Sequence, residues 1–440
     1  MTSVTISAIA VVVSIVLLFY LVLRGVPLVI SGFLCAALVA LFSLSGFSNC
    51  ITGNFITGLN TMMKNMFLPF MSGGLLGAMM HKSGCGESIA NTLIKKLGVK
   101  SAPWIVMIFT SVIVASGMSL FMLIVAPVAL SLMKRANLPK YVGLTAMAGS
   151  APIVMCCVPY VPHANNSLPT MFLGTNLGAG ALVGVIMTVV GYICVIFYVH
   201  YLVKKARNNN SGYELAPGET LDIEEKKTDL PNFWLSVLPI VLAVVLSIVF
   251  NKVAGLAALS AVFWSQFISA ILVMVLYFKR ITREQKLTKI VMDGLTPCII
   301  TVVSAGCITG FATVVQDTSA YAALVEGILN MNMNGYVLTV LAVALLCGAS
   351  ADSVGGILVY LQSLGGTIAS LPGINAGVVH RLTLATANTF DTLPHAGPVA
   401  LQLQLFGYSH KQVYKHLFVV TVLVPCIYVA VGLIFTLLAY

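Results

Sequence analysis

Four ionisable residues lie inside strongly apolar stretches of the 440-residue chain: His163, Asp352, Asp391 and His395. A charge at the centre of a bilayer costs about 2.5 kcal/mol or more, so side chains of this kind usually serve a function there. The carboxyl groups of Asp352 and Asp391 can bind a cation or carry a proton. The imidazoles of His163 and His395 can shuttle a proton or donate to a substrate. Each also has a plainer reading: the histidines as structural hydrogen bonds, and Asp391 as the cap of a helix beginning after Pro394.

All four sit in polar, helix-breaking surroundings. Ser116-Gly117-Met118-Ser119 and Ser350-Ala351-Asp352-Ser353 each interrupt a long apolar segment. A turn there leaves backbone N–H groups unpaired, and half-helix ends can then hold an anion without lysine or arginine. The hydroxyls of Ser116, Ser119, Ser350 and Ser353 can donate to a carboxylate or coordinate a small cation. Small residues that merely let helices pack closely are the competing explanation. Two further strings cannot stay helical. One carries Pro159, Pro162 and Pro169 around His163, Asn165, Asn166 and Ser167; the other carries Pro394 and Pro398 around Asp391, Thr392, His395 and Gly397. Such breaks free carbonyls and start new helices, unless they are external loops.

The motifs recur at an offset of roughly 230 residues, which points to an internal repeat of the kind found in transporters. The composition agrees: 59% hydrophobic residues, 8% charged and a mean hydropathy of +1.01 define an all-α polytopic membrane protein. Ordinary spans are expected near 4–23, 25–45, 66–82, 180–203, 233–250, 256–278, 291–316 and 417–438, with interrupted spans at 140–174 and 376–406. The stretch 1–20 reads as the first span rather than a signal peptide, having no basic start. Segments 103–133 and 336–371 are too long for one crossing and read as re-entrant hairpins. Segments 87–97 and 318–329 read as interfacial amphipathic helices.

Charge sets the threading. With the N-terminus outside, all of the 23 Lys and Arg residues except Lys64, Lys252 and Arg381 fall on the cytoplasmic side. Both termini are then outside. The chain divides into 1–203, a cytoplasmic linker 204–231 and 232–440, giving two inverted repeats of five spans plus one hairpin each. No lysine or arginine is placed deep in a span; Arg381 reads as an interfacial anchor that can attract anions to the outer vestibule. The net charge of +10 is used in topology, which argues against nucleic acid as a partner. The ten cysteines show no metal-ligand spacing, and neither a metal nor a cofactor is expected.

The run Thr389-Phe390-Asp391-Thr392-Leu393-Pro394-His395-Ala396-Gly397-Pro398, continued by 405–415, resembles the gluconate permease (gluconate:proton symporter) family. So do Ser72-Gly73-Gly74-Leu75-Leu76-Gly77 and 172–178. At the first tip, members for sugar acids tend to carry Phe-Phe-Asp where this chain has Ser116-Gly117-Met118, which leaves other small carboxylates open. The resemblance implies the ion transporter superfamily, a dimerising scaffold domain, a transport domain of hairpins and broken helices, and elevator-like movement. It also implies proton-coupled uptake of organic anions, in a bacterial inner membrane.

Residues and resemblance together predict a secondary transporter, not an enzyme: a proton symporter for a hydroxy- or keto-carboxylate or a sugar acid such as gluconate. Substrate contacts are expected from Ser116, Gly117, Ser119, His163, Asn165, Asn166, Ser167, Ser350, Ser353, Thr392, His395 and Gly397. Ion coupling is expected from Asp352, Asp391, His163 or His395. Sodium coupling or antiport is the alternative within transport. An intramembrane enzyme lacks a nucleophile–base motif, and a passive channel would not accumulate substrate.

Overall fold

The computed structural model describes residues 3–24, 26–117, 121–215, 230–283, 285–323, 333–350, 353–393 and 396–440, and every regular element among them is helical. In chain order the main helices are α1 (Ser3–Leu23), α2 (Leu28–Ala40), α3 (Ile56–Ser83), α4 (Cys85–Leu97), α5 (Ala102–Ala115) and α6 (Phe121–Arg135). There follow α7 (Lys140–Pro152), α8 (Ala164–Leu173), α9 (Ala181–Asn208), α10 (Phe233–Lys252), α11 (Ala258–Ile281) and α12 (Leu287–Gln316). The last set is α13 (Gly335–Ser350), α14 (Ser353–Tyr360), α15 (Ala376–Ala387), α16 (Gly397–Phe406), α17 (His410–Phe418) and α18 (Val424–Ala439). Among the described residues six helical segments are long and apolar enough to cross a membrane, the last running His410–Ala439 through a π-helical turn.

Segment 103–133 is a pair of packed helices, α5 and α6, whose turn begins at Ser116 and Gly117. Segment 336–371 is the pair α13 and α14, prolonged by the turns Leu361–Gly365 and Gly366–Ala369. Residues 118–120 and 351–352, hence Ser119 and Asp352, lie outside the described residues. The span at 140–174 is broken where prolines remove backbone donors. Helix α7 ends in a π-helical turn, Ile153–Cys157; Val158 is extended; and α8 starts at Ala164. The span at 376–406 breaks between α15 and α16, with Pro394 and His395 outside the described residues.

Two boundaries differ from expectation. Helix α2 is only 13 residues long, since Pro27 holds its start in an extended conformation. Helix α3 is 28 residues long and reaches back to Ile56 through a polar stretch. There Thr61 Oγ1 donates to the Thr57 carbonyl and Asn65 Nδ2 to the Thr61 carbonyl, so both polar groups are satisfied along the helix. Of 318–329, only 318–323 is described, and 319–323 is helical.

Helices α1, α2, α3, α10, α11 and α12 pack mainly on one another, while α5 to α9 pack with α13 to α18. Contacts between the groups run through α4 and through the α6–α3, α8–α11, α14–α12, α13–α1, α5–α10 and α8–α3 crossings. The amphipathic α4 buries Ile89 and Ile94 in this seam. The start of the linker docks at the ends of both halves. Glu214 accepts from the Lys140 backbone N–H (2.8 Å) and from the Tyr408 hydroxyl (2.6 Å). Burial, and then the Glu214 carboxylate, push the Tyr408 hydroxyl well above the ordinary phenol range.

Helix α3 packs closely on α12. A Cβ built on Gly74 would lie 2.5 Å from both the Gly294 carbonyl oxygen and Cys298 Sγ, so the backbones meet only because position 74 is glycine. Gly74→Val is expected to destabilise the protein by about 1–3 kcal/mol through overpacking. Thermal unfolding in detergent measures this, and an unchanged melting temperature would contradict the crossing.

Candidate substrate site

The first break and the loop after α8 expose carbonyls outside regular helix, and one side chain collects three of them. Arg381 of α15 is 0% exposed. Its Nε donates to the Ala179 carbonyl (3.0 Å), and Nη1 donates to the Cys156 carbonyl (3.0 Å) and Asn166 Oδ1 (3.3 Å). Nη2 donates to the carbonyls of Leu177 (3.0 Å) and Ala179 (2.9 Å). A guanidinium has five N–H donors, and all five are engaged. This corrects the placement of Arg381 as an interfacial anchor: it is a buried clamp. Its charge has no carboxylate partner among the described residues, so the break carries a positive field that favours an anion.

Asn166 is part of the same clamp. Its amide donates to the carbonyls of Val161 (2.9 Å) and Leu177 (3.1 Å), while its oxygen accepts from Arg381 and pairs with His380 Nε2 (3.3 Å). The His380 ring is completed by Thr175 Oγ1 (2.7 Å). Asn166 therefore shapes the break with every polar atom of its side chain.

A second buried amide joins the break to the first tip. Gln266 of α11 is 1% exposed. Its Nε2 donates to the carbonyls of Gly117 and Pro162, both at 2.9 Å, and its Oε1 accepts from Ser72 Oγ of α3 at 2.9 Å. Gly117 has φ +82°, and a Cβ there would run into the Pro162 carbonyl and the Gln266 amide, so this contact requires glycine. Ser116 is buried with its hydroxyl turned back to the Ile113 carbonyl (2.7 Å).

The break also reaches the second tip and the second break. Asn165 Nδ2 donates to Ser353 Oγ at 3.3 Å. Ser350 ends α13 beside this tip. Asn388, which caps α15, donates from Nδ2 to the Pro152 carbonyl at 3.4 Å. Thr392 is anchored on the far side, donating to the Thr421 carbonyl (3.1 Å) and accepting from Tyr414 through its own carbonyl (3.1 Å). Asp391 lies partly buried beside it, and Gly397 opens α16.

His163 is bracketed by these ties. Pro162 before it is bound to the first tip, and Asn165 after it to the second. The imidazole caps α8, with Nδ1 accepting from the Asn165 backbone N–H at 3.2 Å. That bond places the ring proton on Nε2. Nε2 is buried and has no hydrogen-bond partner among the described residues. Ser167 supports the same turn by donating to the His163 carbonyl at 3.3 Å. An N–H donor thus stands unused between the two hairpin tips, at the N-terminal end of α8.

Hairpin tips and broken helices that meet at a buried polar centre define a membrane transporter. Residues 4–440 match the GntP family permease model, and the chain belongs to that family. It is 23% identical to the uncharacterized transporter YxjC of Bacillus subtilis, over 96% of this chain and 97% of that protein. Over about half of each chain it is 25% identical to the Gnt-II system L-idonate transporter and 26% to the high-affinity gluconate transporter, both of Escherichia coli. In fold it is similar to the YdaH transporter of Alcanivorax borkumensis, with a TM-score of 0.54 over 90% of this chain and 89% of that one, at 13% identity. The chain is a multi-pass membrane permease, not an enzyme.

Replacing the clamp tests the geometry. Arg381→Lys supplies at most three donors without the planar fork, so at least two charge-assisted bonds are lost, worth about 1.5–3 kcal/mol each. A loss of about 3 kcal/mol or more is expected in thermal unfolding. A variant as stable as the parent protein would show that the break does not depend on Arg381.

Proposed function

We propose that the protein is a proton-coupled symporter of a small sugar acid or related hydroxy-carboxylate. The observation that carries this reading is the unused His163 Nε2–H, held between two hairpin tips in the field of a buried, carboxylate-free arginine. The substrate carboxylate is bound by His163 Nε2, by backbone donors at the start of α8 and by the tip hydroxyls, of which Ser353 is already tied to Asn165. Ser116 and Thr392, whose hydroxyl protons are engaged, orient the site and offer oxygen acceptors to substrate hydroxyls. Asp391 takes up the coupling proton, with Asp352 and His395 as further candidates in the same half. The Nδ1 cap makes His163 a donor rather than the proton carrier.

Movement follows from the two packing groups. Helices α1–α3 and α10–α12 form the scaffold and the dimer, and the hairpins with the broken helices travel against it in an elevator motion. The halves 1–203 and 232–440 are inverted copies that exchange roles between outward and inward states. The protein works in the bacterial inner membrane, with both termini outside. The gluconate and L-idonate relatives support the substrate class, and the buried polar centre supports carriage rather than an open pore.

In proteoliposomes an inward proton gradient is expected to drive uphill uptake of D-gluconate or L-idonate. Uptake that requires sodium and ignores the proton gradient would contradict the coupling. His163→Asn keeps a good helix cap but removes the unused donor. Its binding of the same acid, measured by titration calorimetry, is expected to weaken about tenfold or more. Unchanged affinity would remove His163 from the site.

A further inference from the structure

Of the three fully buried tyrosines, two have paired hydroxyls: Tyr336 accepts from the Asn375 backbone N–H (2.8 Å), and Tyr360 pairs with Thr339 Oγ1 (2.8 Å). The third, Tyr428 of α18, is 0% exposed, and its hydroxyl makes no hydrogen bond within 3.5 Å among the described residues, although the Asn388 amide stands close to it. Its ring is wedged against α9, where a Cβ on Gly191 would lie 3.1 Å from Cδ1. Phenylalanine would fill that space without burying an unpaired hydroxyl, so packing does not account for the oxygen.

The surroundings suggest what the oxygen is for. The phenol lies beside Asn388, with Asp391, Cys156 and Cys157 within electrostatic reach. Asn388 and Asp391 come from the second break, and the two cysteines from the π-helical turn that opens the first. Among the described residues, the other titratable groups around this junction include Arg381 and His380 on α15, Tyr192 on α9, and Tyr414 on α17, whose hydroxyl donates to the Thr392 carbonyl (3.1 Å). Arg381 has all five donors engaged, and His380 is bonded at both ring nitrogens. The Tyr192 hydroxyl is paired with Ser111 Oγ (2.5 Å). Thiols and phenols titrate above neutrality in their ordinary ranges, and arginine does not titrate. Asp391 is therefore the group near Tyr428 whose change of charge suits a coupling cycle.

We propose that Tyr428 is a positioning residue of the proton-coupling site. Its hydroxyl donates to the ionised Asp391 carboxylate through one water held by Asn388. It gives up that bond when a proton from the aqueous phase binds the carboxylate. The inference rests on Asp391 as the coupling carboxylate, as proposed above. Donation favours the ionised form, so removing the hydroxyl lets the protonated form persist to higher pH.

The test compares the full-length parent protein, Tyr428→Phe and Asp391→Asn in proteoliposomes, recording D-gluconate uptake against pH together with melting temperature. Tyr428→Phe is expected to melt at or above the parent temperature while its half-maximal pH moves upward by about one unit, the size expected for one hydrogen bond to a charge. Asp391→Asn is expected to flatten the profile. If Tyr428→Phe cannot be purified, 3-fluorotyrosine at position 428 is expected to move the midpoint downward, since its hydroxyl is the stronger donor. A midpoint unmoved by either change at Tyr428, while Asp391→Asn flattens the profile, would overturn the role of Tyr428 alone. A parent-like profile in Asp391→Asn would overturn the coupling reading and this inference with it.

Discussion

Five hydrogen bonds from one buried guanidinium hold the first broken helix open. Inside a bilayer no water replaces a missing backbone partner, so a break survives only where protein satisfies its carbonyls. Arg381 ties the Cys156 carbonyl before the gap to the Leu177 and Ala179 carbonyls in the loop that follows α8. Gln266 takes two more, at Gly117 and Pro162. Remove these and the prolines would leave bare acceptors in apolar surroundings. The site exists because its backbone has been paired by side chains from elsewhere in the fold.

That pairing also ties the halves together. Arg381 and His380 lie on α15, the helix that leads into the second break, yet both bind residues of the first. Asn388 returns from the second break to Pro152, and Asn165 reaches the second tip. A displacement of one hairpin or break is thus felt by the others, as a site serving alternating access requires. Gln266 differs in kind, because it belongs to α11 in the other packing group and also holds Ser72 of α3. Its bonds span the seam between the two packing groups, so the elevator motion proposed above would require them to break and re-form.

Much of this was legible in the sequence. Proline, glycine and serine inside apolar runs located both helical pairs and both breaks within a few residues, because such residues leave few backbone choices at that depth. Arg381 was less legible. It stood out as one of three basic residues on the wrong side of the charge count, and the anomaly was itself the signal: a cation away from its interface needs an internal partner. Gln266 left a fainter trace, a single amide in the apolar run of α11, and nothing local names the three groups it binds. Asn165 and Asn166 look alike in sequence. Tertiary structure alone turns the first toward Ser353 and the second into the clamp. The short α2 and the long α3 differed from expectation because hydropathy marks apolar runs, whereas helices end where caps and prolines end them.

The proposed anion site lies where the two tips and the first break converge. An experimental structure with D-gluconate bound tests it most directly. The account predicts the carboxylate within hydrogen-bond distance of His163 Nε2, bounded by Ser353 and the first tip, with the five Arg381 bonds intact. A carboxylate bound to the Arg381 guanidinium itself, or lodged against one half of the chain only, would contradict it.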